Sequence, residues 1–110
     1  MKVLITLKKN KEYRHVYSRG KSYADRYLVI YYLSNNLDFC RFGFTVSKKT
    51  GNAVTRNRVR RLLKEVCRLN SNVFTGGFDL VLVARRSIVG LDFWRVEESL
   101  LRIIKKIYKR

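Results

Sequence analysis

From Lys48 to Arg61 the chain reads Lys-Lys-Thr-Gly-Asn-Ala-Val-Thr-Arg-Asn-Arg-Val-Arg-Arg, where eight side chains carry a cation or an amide and none is acidic. The run leads into Leu62-Leu63-Lys64-Glu65-Val66. At about 100° per residue, Val59, Leu62, Leu63, Val66 and Leu69 fall in one arc of about 120°, and Arg56, Asn57, Arg60, Arg61, Lys64 and Arg68 fill an opposing arc of about 140°. This predicts a helix from about Val54 to Leu69, fed by a loop at Gly51 and Asn52. Such a helix must bury one face against other elements and leave the other in water or against anions. Solvated helix faces usually mix signs to gain i,i+4 pairs, whereas Glu65 is the sole acid here. Guanidinium and amide groups at this spacing suit phosphates and base edges.

The rest of the chain supplies the cover. Asn10 reads as an N-cap and Gly20 as a stop, with Tyr13, Val16 and Tyr17 on one face of a short helix over residues 10–19. Tyr27 to Leu33 is aromatic and β-branched, a strand, with an extra short strand near Lys21–Tyr23. Turn chemistry at Ser34–Asp38 leads to a strand over Phe39–Val46, read as antiparallel to the first. That strand points Cys40, Phe42, Phe44 and Val46 to the core and Arg41, Gly43 and Thr45 away from it. After a loop at Asn72–Gly77, Phe78–Ala84 is almost unbroken apolar chain, so it should be central and covered on both faces. Asp92 caps a last helix running to about Tyr108, with Phe93, Val96, Leu100, Ile103 and Ile107 inward. Its terminal Lys105, Lys106, Lys109 and Arg110 sit where cations favour the helix dipole. The expectation is an α+β sandwich, one sheet with helices packed on it.

Lys and Arg number 25 against 8 Asp and Glu, a formal net charge of +17 over 110 residues. Such a surplus repels itself unless a polyanion is near, which points to nucleic acid first and an anionic membrane second. Hydrophobic residues make up 46% of the chain, too many for a disordered basic tail. The length suits one domain, residues 1–110. Cys40, Cys67 and the single His15 fit no metal spacing, and the cysteines read as a reduced, buried pair. No apolar stretch approaches the roughly 18 residues a membrane span needs. Residues 1–7 are too short for a signal peptide, so the chain is read as cytoplasmic.

No catalytic constellation is present. His15 reads as a surface or packing residue, and the serines lack a partner base or a nucleophile elbow. Asp79, Asp92, Glu97 and Glu98 read as turn, cap and helix-surface residues. No carboxylate cluster suits a divalent metal, and neither Gly51-Asn52 nor Gly76-Gly77 makes a phosphate-binding P-loop. What remains is recognition. If helix 10–19 lies along the sheet edge, Tyr13, Tyr17, Tyr27, Val29 and Tyr31 line a groove floored by aromatics and rimmed by cations, an arrangement that holds single strands. Ordinary core tyrosines with hydroxyls at the surface would give the same pattern.

Taken together, these segments resemble the protein component of bacterial ribonuclease P. The likeness is carried by Gly43-Phe44-Thr45-Val46-Ser47-Lys48-Lys49-Thr50-Gly51-Asn52-Ala53-Val54, then Arg56-Asn57-Arg58 on a helix. Leu7-Lys8-Lys9 with Tyr13-Arg14-His15-Val16-Tyr17 resembles the family's first helix, and Phe78 to Arg85 its late strand. The resemblance implies a two-layer, ribosomal-protein-like sandwich of order α-β-β-β-α-β-α. It also implies a left-handed crossover joining parallel strands through the Arg-rich helix, against the usual hand. It implies a catalytic RNA partner that binds most of the Mg²⁺ and removes the 5′ leader of precursor tRNA, so that the holoenzyme is an endoribonuclease with no catalytic residue on the polypeptide. Arg56, Asn57, Arg58, Arg60, Arg61 and Lys64 would meet the RNA subunit. Tyr13, Tyr17, Val29, Tyr31, Lys48 and Lys49 would line a cleft for the leader. Positions 13 and 17 are often Phe in the family, and both residue types stack. The segment before Leu7 is more apolar than the family pattern. One protein per RNA, monomeric otherwise, is the implied stoichiometry.

Other classes fit less well. A small basic ribosomal or other RNA-binding module without enzymatic context shares charge and fold. A duplex-DNA reader lacks helix-turn-helix spacing, and a membrane-surface protein lacks a basic helix with exposed Trp or Phe.

Overall fold

The computed structural model describes residues 3–109; Met1, Lys2 and Arg110 lie outside it, and with them the dipole role expected of Arg110. The elements run α1 (Asn10–Arg19), β1 (Lys21–Ala24), β2 (Leu28–Ser34), β3 (Arg41–Thr45), α2 (Ala53–Leu69), β4 (Phe78–Ala84) and α3 (Phe93–Ile107), the expected order. Single 3₁₀ turns at 48–50, 71–73 and 86–88 mark the loops.

The sheet order is β1-β2-β4-β3. β2 is antiparallel to β1 and to β4, while β3 runs parallel to β4. β3 thus runs antiparallel to β2, as read from the sequence, but does not pair with it: β4 is inserted between them. The reason lies in β4 itself. Leu80, Val81 and Leu82 are all fully buried, so the strand that is apolar on both faces takes the centre. α2 is then the crossover between parallel strands, because such strands cannot be joined by a tight turn.

The two faces of the sheet are covered unequally. On one face, Leu28, Ile30, Phe42, Phe44, Leu80 and Leu82 pack against Val59, Leu63, Val66 and Cys67 of α2 and Val96, Leu100, Ile103 and Ile104 of α3. Truncating Leu80 or Leu82 to Ala there costs about 2–5 kcal/mol in transfer and cavity terms. On the other face a smaller cluster of Leu7, Val16 and Val81 carries α1, with Tyr13, Tyr31, Leu33 and Val83 only half buried around it. Thus α1 lies across the sheet face, on β2 and β4, rather than along its edge.

Several local expectations shift. Asn10 is the first helical residue of α1 and Lys9 is the N-cap; the Glu12 carboxylate accepts from the Lys8 and Lys9 N–H groups, both at 2.9 Å. On α2, Leu69 is 55% exposed and Cys67 fully buried. Cys67 lies about 40° beyond Leu63 and Leu69 about 120° to the other side, so the true buried arc is rotated toward the cysteine. Both cysteines are free and buried. Burial pushes the Cys67 thiol well above its ordinary range. Asp92 caps α3 as expected, accepting from the Arg95 N–H at 3.0 Å, while Ser99 and Ile104 join the inner face.

The apolar N-terminal segment closes the β3 edge. The Leu7 N–H donates to the Phe42 carbonyl and the Phe42 N–H to the Ile5 carbonyl, each at 2.8 Å, so residues 5–7 run parallel beside β3. The pairing occupies the outward N–H and C=O of Phe42 on that edge.

Candidate nucleic-acid interface

The face that α1 covers alone is where the expected tyrosines meet. Tyr13 and Tyr17 stand one turn apart on α1, with Val16 between them buried against the sheet. The Tyr13 ring lies over Gly43, and its hydroxyl accepts from the Phe44 N–H at 3.4 Å. Tyr17 meets Tyr31 edge to face, centroids 4.9 Å apart and planes at 87°. Its hydroxyl is 2.8 Å from Thr45 Oγ1. Burial raises the Tyr17 phenol above its ordinary pKa, more than the Thr45 hydrogen bond lowers it, so it stays a neutral hydroxyl. Val29 lies two residues before Tyr31 on the same face of β2 and pairs across to Val83. These residues form a half-buried aromatic and aliphatic floor. Tyr27 packs instead against the main core on the opposite side.

From Thr45 the chain leaves β3 into the 3₁₀ turn at 48–50, which exposes Lys48 and Lys49. Lys49 borders an open cavity of about 820 Å³ with Arg26, Ser47, Arg85, Arg86 and Ser87, at the C-terminal ends of the parallel strands β3 and β4. Arg85 donates to the Asp25 carbonyl at 3.2 Å and Arg86 to the Lys49 carbonyl at 3.0 Å, which tethers the guanidinium groups while leaving other N–H donors free. Sequence reading passed over Arg26, Arg85 and Arg86. The signal available was the Arg-Arg pair at the end of the most apolar strand, where open sheets place ligand sites.

α2 is positioned by the Asn52 cap, whose side chain accepts from the Thr55 N–H at 2.9 Å. Gly51 supplies the preceding turn at φ 156°, a backbone state that other residues rarely adopt. Arg56 folds back to the Gly51 carbonyl at 2.8 Å, and Arg60 binds Asn57 Oδ1 at 2.8 Å. Asn57, Arg60, Arg61 and Lys64 border one open cavity on the outer face of α2, with Val54. Arg58 is exposed on the flank of the same helix. At its far end Arg68 clamps Glu65 with two bonds of 2.8 Å, holding that carboxyl below its ordinary range.

Asp79 departs from the turn role expected of it and lies within β4. It is 4% exposed and takes a two-point bond from Arg41, Nε to Oδ1 at 2.8 Å and Nη2 to Oδ2 at 2.7 Å. The third nitrogen of Arg41 reaches Glu12 at 3.1 Å and so ties α1 to the sheet. The bonds to Asp79, with Glu12 behind them, raise the Arg41 pKa further despite its burial. Among the described residues no group of three or more His, Cys, Asp or Glu is placed to hold a metal ion.

An α+β domain with a half-covered aromatic sheet face on one side and a cationic helix on the other is, by class, an RNA-binding protein. The comparisons narrow this. The family model for ribonuclease P matches residues 1–108. A ribonuclease P protein component from Pelotomaculum thermopropionicum is 56% identical over 106 residues, covering 96% of this chain and 95% of the relative. One from Natranaerobius thermophilus is 47% identical, covering 96% and 92%. The RNase P protein of Thermotoga maritima superposes with a TM-score of 0.86 at 32% identity, covering 92% of this chain and 96% of that one. That of Staphylococcus aureus gives 0.86 at 30%, covering 96% and 97%. The chain belongs to the ribonuclease P protein family, and its role is that of a subunit of the holoenzyme that processes tRNA 5′ ends.

Proposed function

We propose that this subunit holds two RNAs at once. The outer face of α2, with Arg56, Asn57, Arg58, Arg60, Arg61 and Lys64, docks the catalytic RNA. The tyrosine floor with Tyr13, Tyr17, Val29 and Tyr31 holds the single-stranded 5′ leader of precursor tRNA, with Lys48 and Lys49 on its phosphates. The observation that carries this reading is the unequal cover of the sheet. Two helices seal one face, while α1 alone leaves Tyr31 and Val83 half buried on the other. Bases can stack on such a floor, at about 1–3 kcal/mol each.

The chemistry belongs to the RNA, which holds the Mg²⁺ that supplies the hydrolysis. The protein's residues bind and orient. Precursor and product differ by the leader, so contact with the leader alone favours substrate over product. The cations of α2 also screen repulsion between two polyanions, which lowers the Mg²⁺ needed for assembly. The compartment that fits this role is the cytoplasm, with one protein per RNA. Among the described residues no helix is long and apolar enough to cross a membrane.

The test is cleavage of a precursor tRNA by a bacterial ribonuclease P RNA at low Mg²⁺, with and without the protein. Strong stimulation with a single cut at the mature 5′ end is expected. RNA binding without stimulation would reduce the chain to a general basic RNA-binding module.

A further inference from the structure

The segment ahead of α1 builds an apolar recess beside the cationic face of α2, sharing Arg61 and Lys64 with it. Val3, Leu4 and Thr6 face Arg61, Lys64 and Arg68 of α2 across an open cavity of about 540 Å³. That volume is within the usual range for small-ligand sites, about 300–1,000 Å³. Its walls are almost wholly apolar. Leu4 packs onto the main core, and the aliphatic stems of the three cations form the opposite wall. Val3 is 85% exposed at the rim, two residues before Ile5, whose carbonyl accepts from the Phe42 N–H.

The charges around the rim narrow the occupant. Glu65 also borders the cavity, but both of its oxygens are taken by Arg68. Arg61 and Lys64 make no side-chain hydrogen bond among the described residues. Both also border the cavity on the outer face of α2, so the apolar recess opens directly off the cationic surface. A phosphate would find cations at the rim but no donor on the floor. A second copy of this chain would bring its own +17 against the same rim. An unstacked nucleotide satisfies both parts, because its base has apolar faces and its phosphates are anionic.

We propose that this cavity takes one unpaired base of the ribonuclease P RNA, with the flanking phosphates on Arg61 and Lys64, which rests on α2 being the face that docks that RNA. A base in a helix cannot enter, so the site selects a bulge, loop or junction nucleotide. Leu4, packed on the core, then serves as the floor and Val3 as part of the rim.

Chemical probing of unpaired bases in a bacterial ribonuclease P RNA, alone and in the reconstituted holoenzyme, tests this with Val3→Gln and Val3→Glu. Thermal melts confirm that both variants fold. The wild-type protein should protect one or two unpaired bases that both variants leave reactive, with the rest of the footprint intact and affinity about 3- to 10-fold weaker. A Val3→Gln footprint identical to wild type would overturn the cavity assignment alone. So would a uniform weakening of the whole footprint in both variants. No footprint even with the wild-type protein would overturn the docking of α2 and this site together.

Discussion

Gly43 lies so close beneath the Tyr13 ring that a β-carbon there would stand 2.6 Å from Tyr13 Cε2 and 2.8 Å from Cζ. The contact sets how near α1 sits to the sheet. Gly43→Ala should push the ring aside, cost about 1–3 kcal/mol and weaken precursor binding along with stability. Thermal melts paired with precursor affinity check this. A melt unchanged from wild type would mean the ring moves freely and does not position α1.

The Tyr17–Tyr31 pair is the centre of the proposed leader floor. Tyr17→Ala or Tyr31→Ala should weaken precursor binding by roughly 5- to 100-fold, from about 1–3 kcal/mol per stacked base, and leave mature tRNA binding alone. Tyr17→Phe keeps the ring and gives up only the Thr45 contact, so it should stay near wild type. Equal losses for precursor and mature tRNA would remove the leader from this floor.

Arg56 and Arg60 are tethered within α2 by Gly51 and Asn57, yet each keeps N–H donors for phosphate. The double variant Arg56→Ala/Arg60→Ala should weaken assembly with the RNA subunit. With each residue on one phosphate, the slope of log affinity against log salt should fall by roughly 1.4–1.8. A titration across salt concentrations reads both. An unchanged slope would place these two side chains off the interface.

Asp25 should contribute to the acid limb of stability. Burial raises its pKa, but the Ser99 hydroxyl, the Tyr27 and Leu28 N–H groups and Arg102 together hold it below the ordinary 3.8. The folded state therefore favours the ionised form. Its contribution is complete above the unfolded pKa and is lost as pH falls through the lower folded value. Glu12 acts in the same sense, held below 4.5 chiefly by the Lys9 and Lys8 N–H groups. Urea midpoints measured from about pH 5 down to pH 2 should fall steadily, and Asp25→Asn should flatten that fall while lowering stability at neutral pH. An equally steep acid limb in Asp25→Asn would assign it to other carboxylates.

Helices and strands were legible because their periodicities are strong: Val59, Leu63 and Val66 mark α2 as plainly as Phe42 and Phe44 mark β3. The neighbour of β3 was not legible, since alternation reports which face is buried and says nothing of which strand lies beside it. Asp79 was misread for a related reason. An acid next to Phe78 looks like the start of a turn until Arg41, 38 residues earlier, is seen to neutralise it. The cationic face of α2 followed from local spacing. Tyr13, Tyr17, Val29 and Tyr31 share a surface only because α1 crosses the sheet, a tertiary fact that composition left balanced between groove and core. Arg26, Arg85 and Arg86 meet only through the parallel pairing of β3 and β4.

The central position of β4 also orders how the chain is made. β2 and β3 follow one another in sequence, but each finds its partner in residues 78–84. As synthesis proceeds, a nascent chain that has passed Leu69 can have the β1–β2 hairpin and a basic amphipathic helix while β3 still waits. The β2–β4 and β3–β4 pairings both need residues 78–84, and the face of the main core that α3 covers is built on them. Until residues 78–84 are available, β2 and β3 lack the central strand that joins them, while α2 already carries its cationic face.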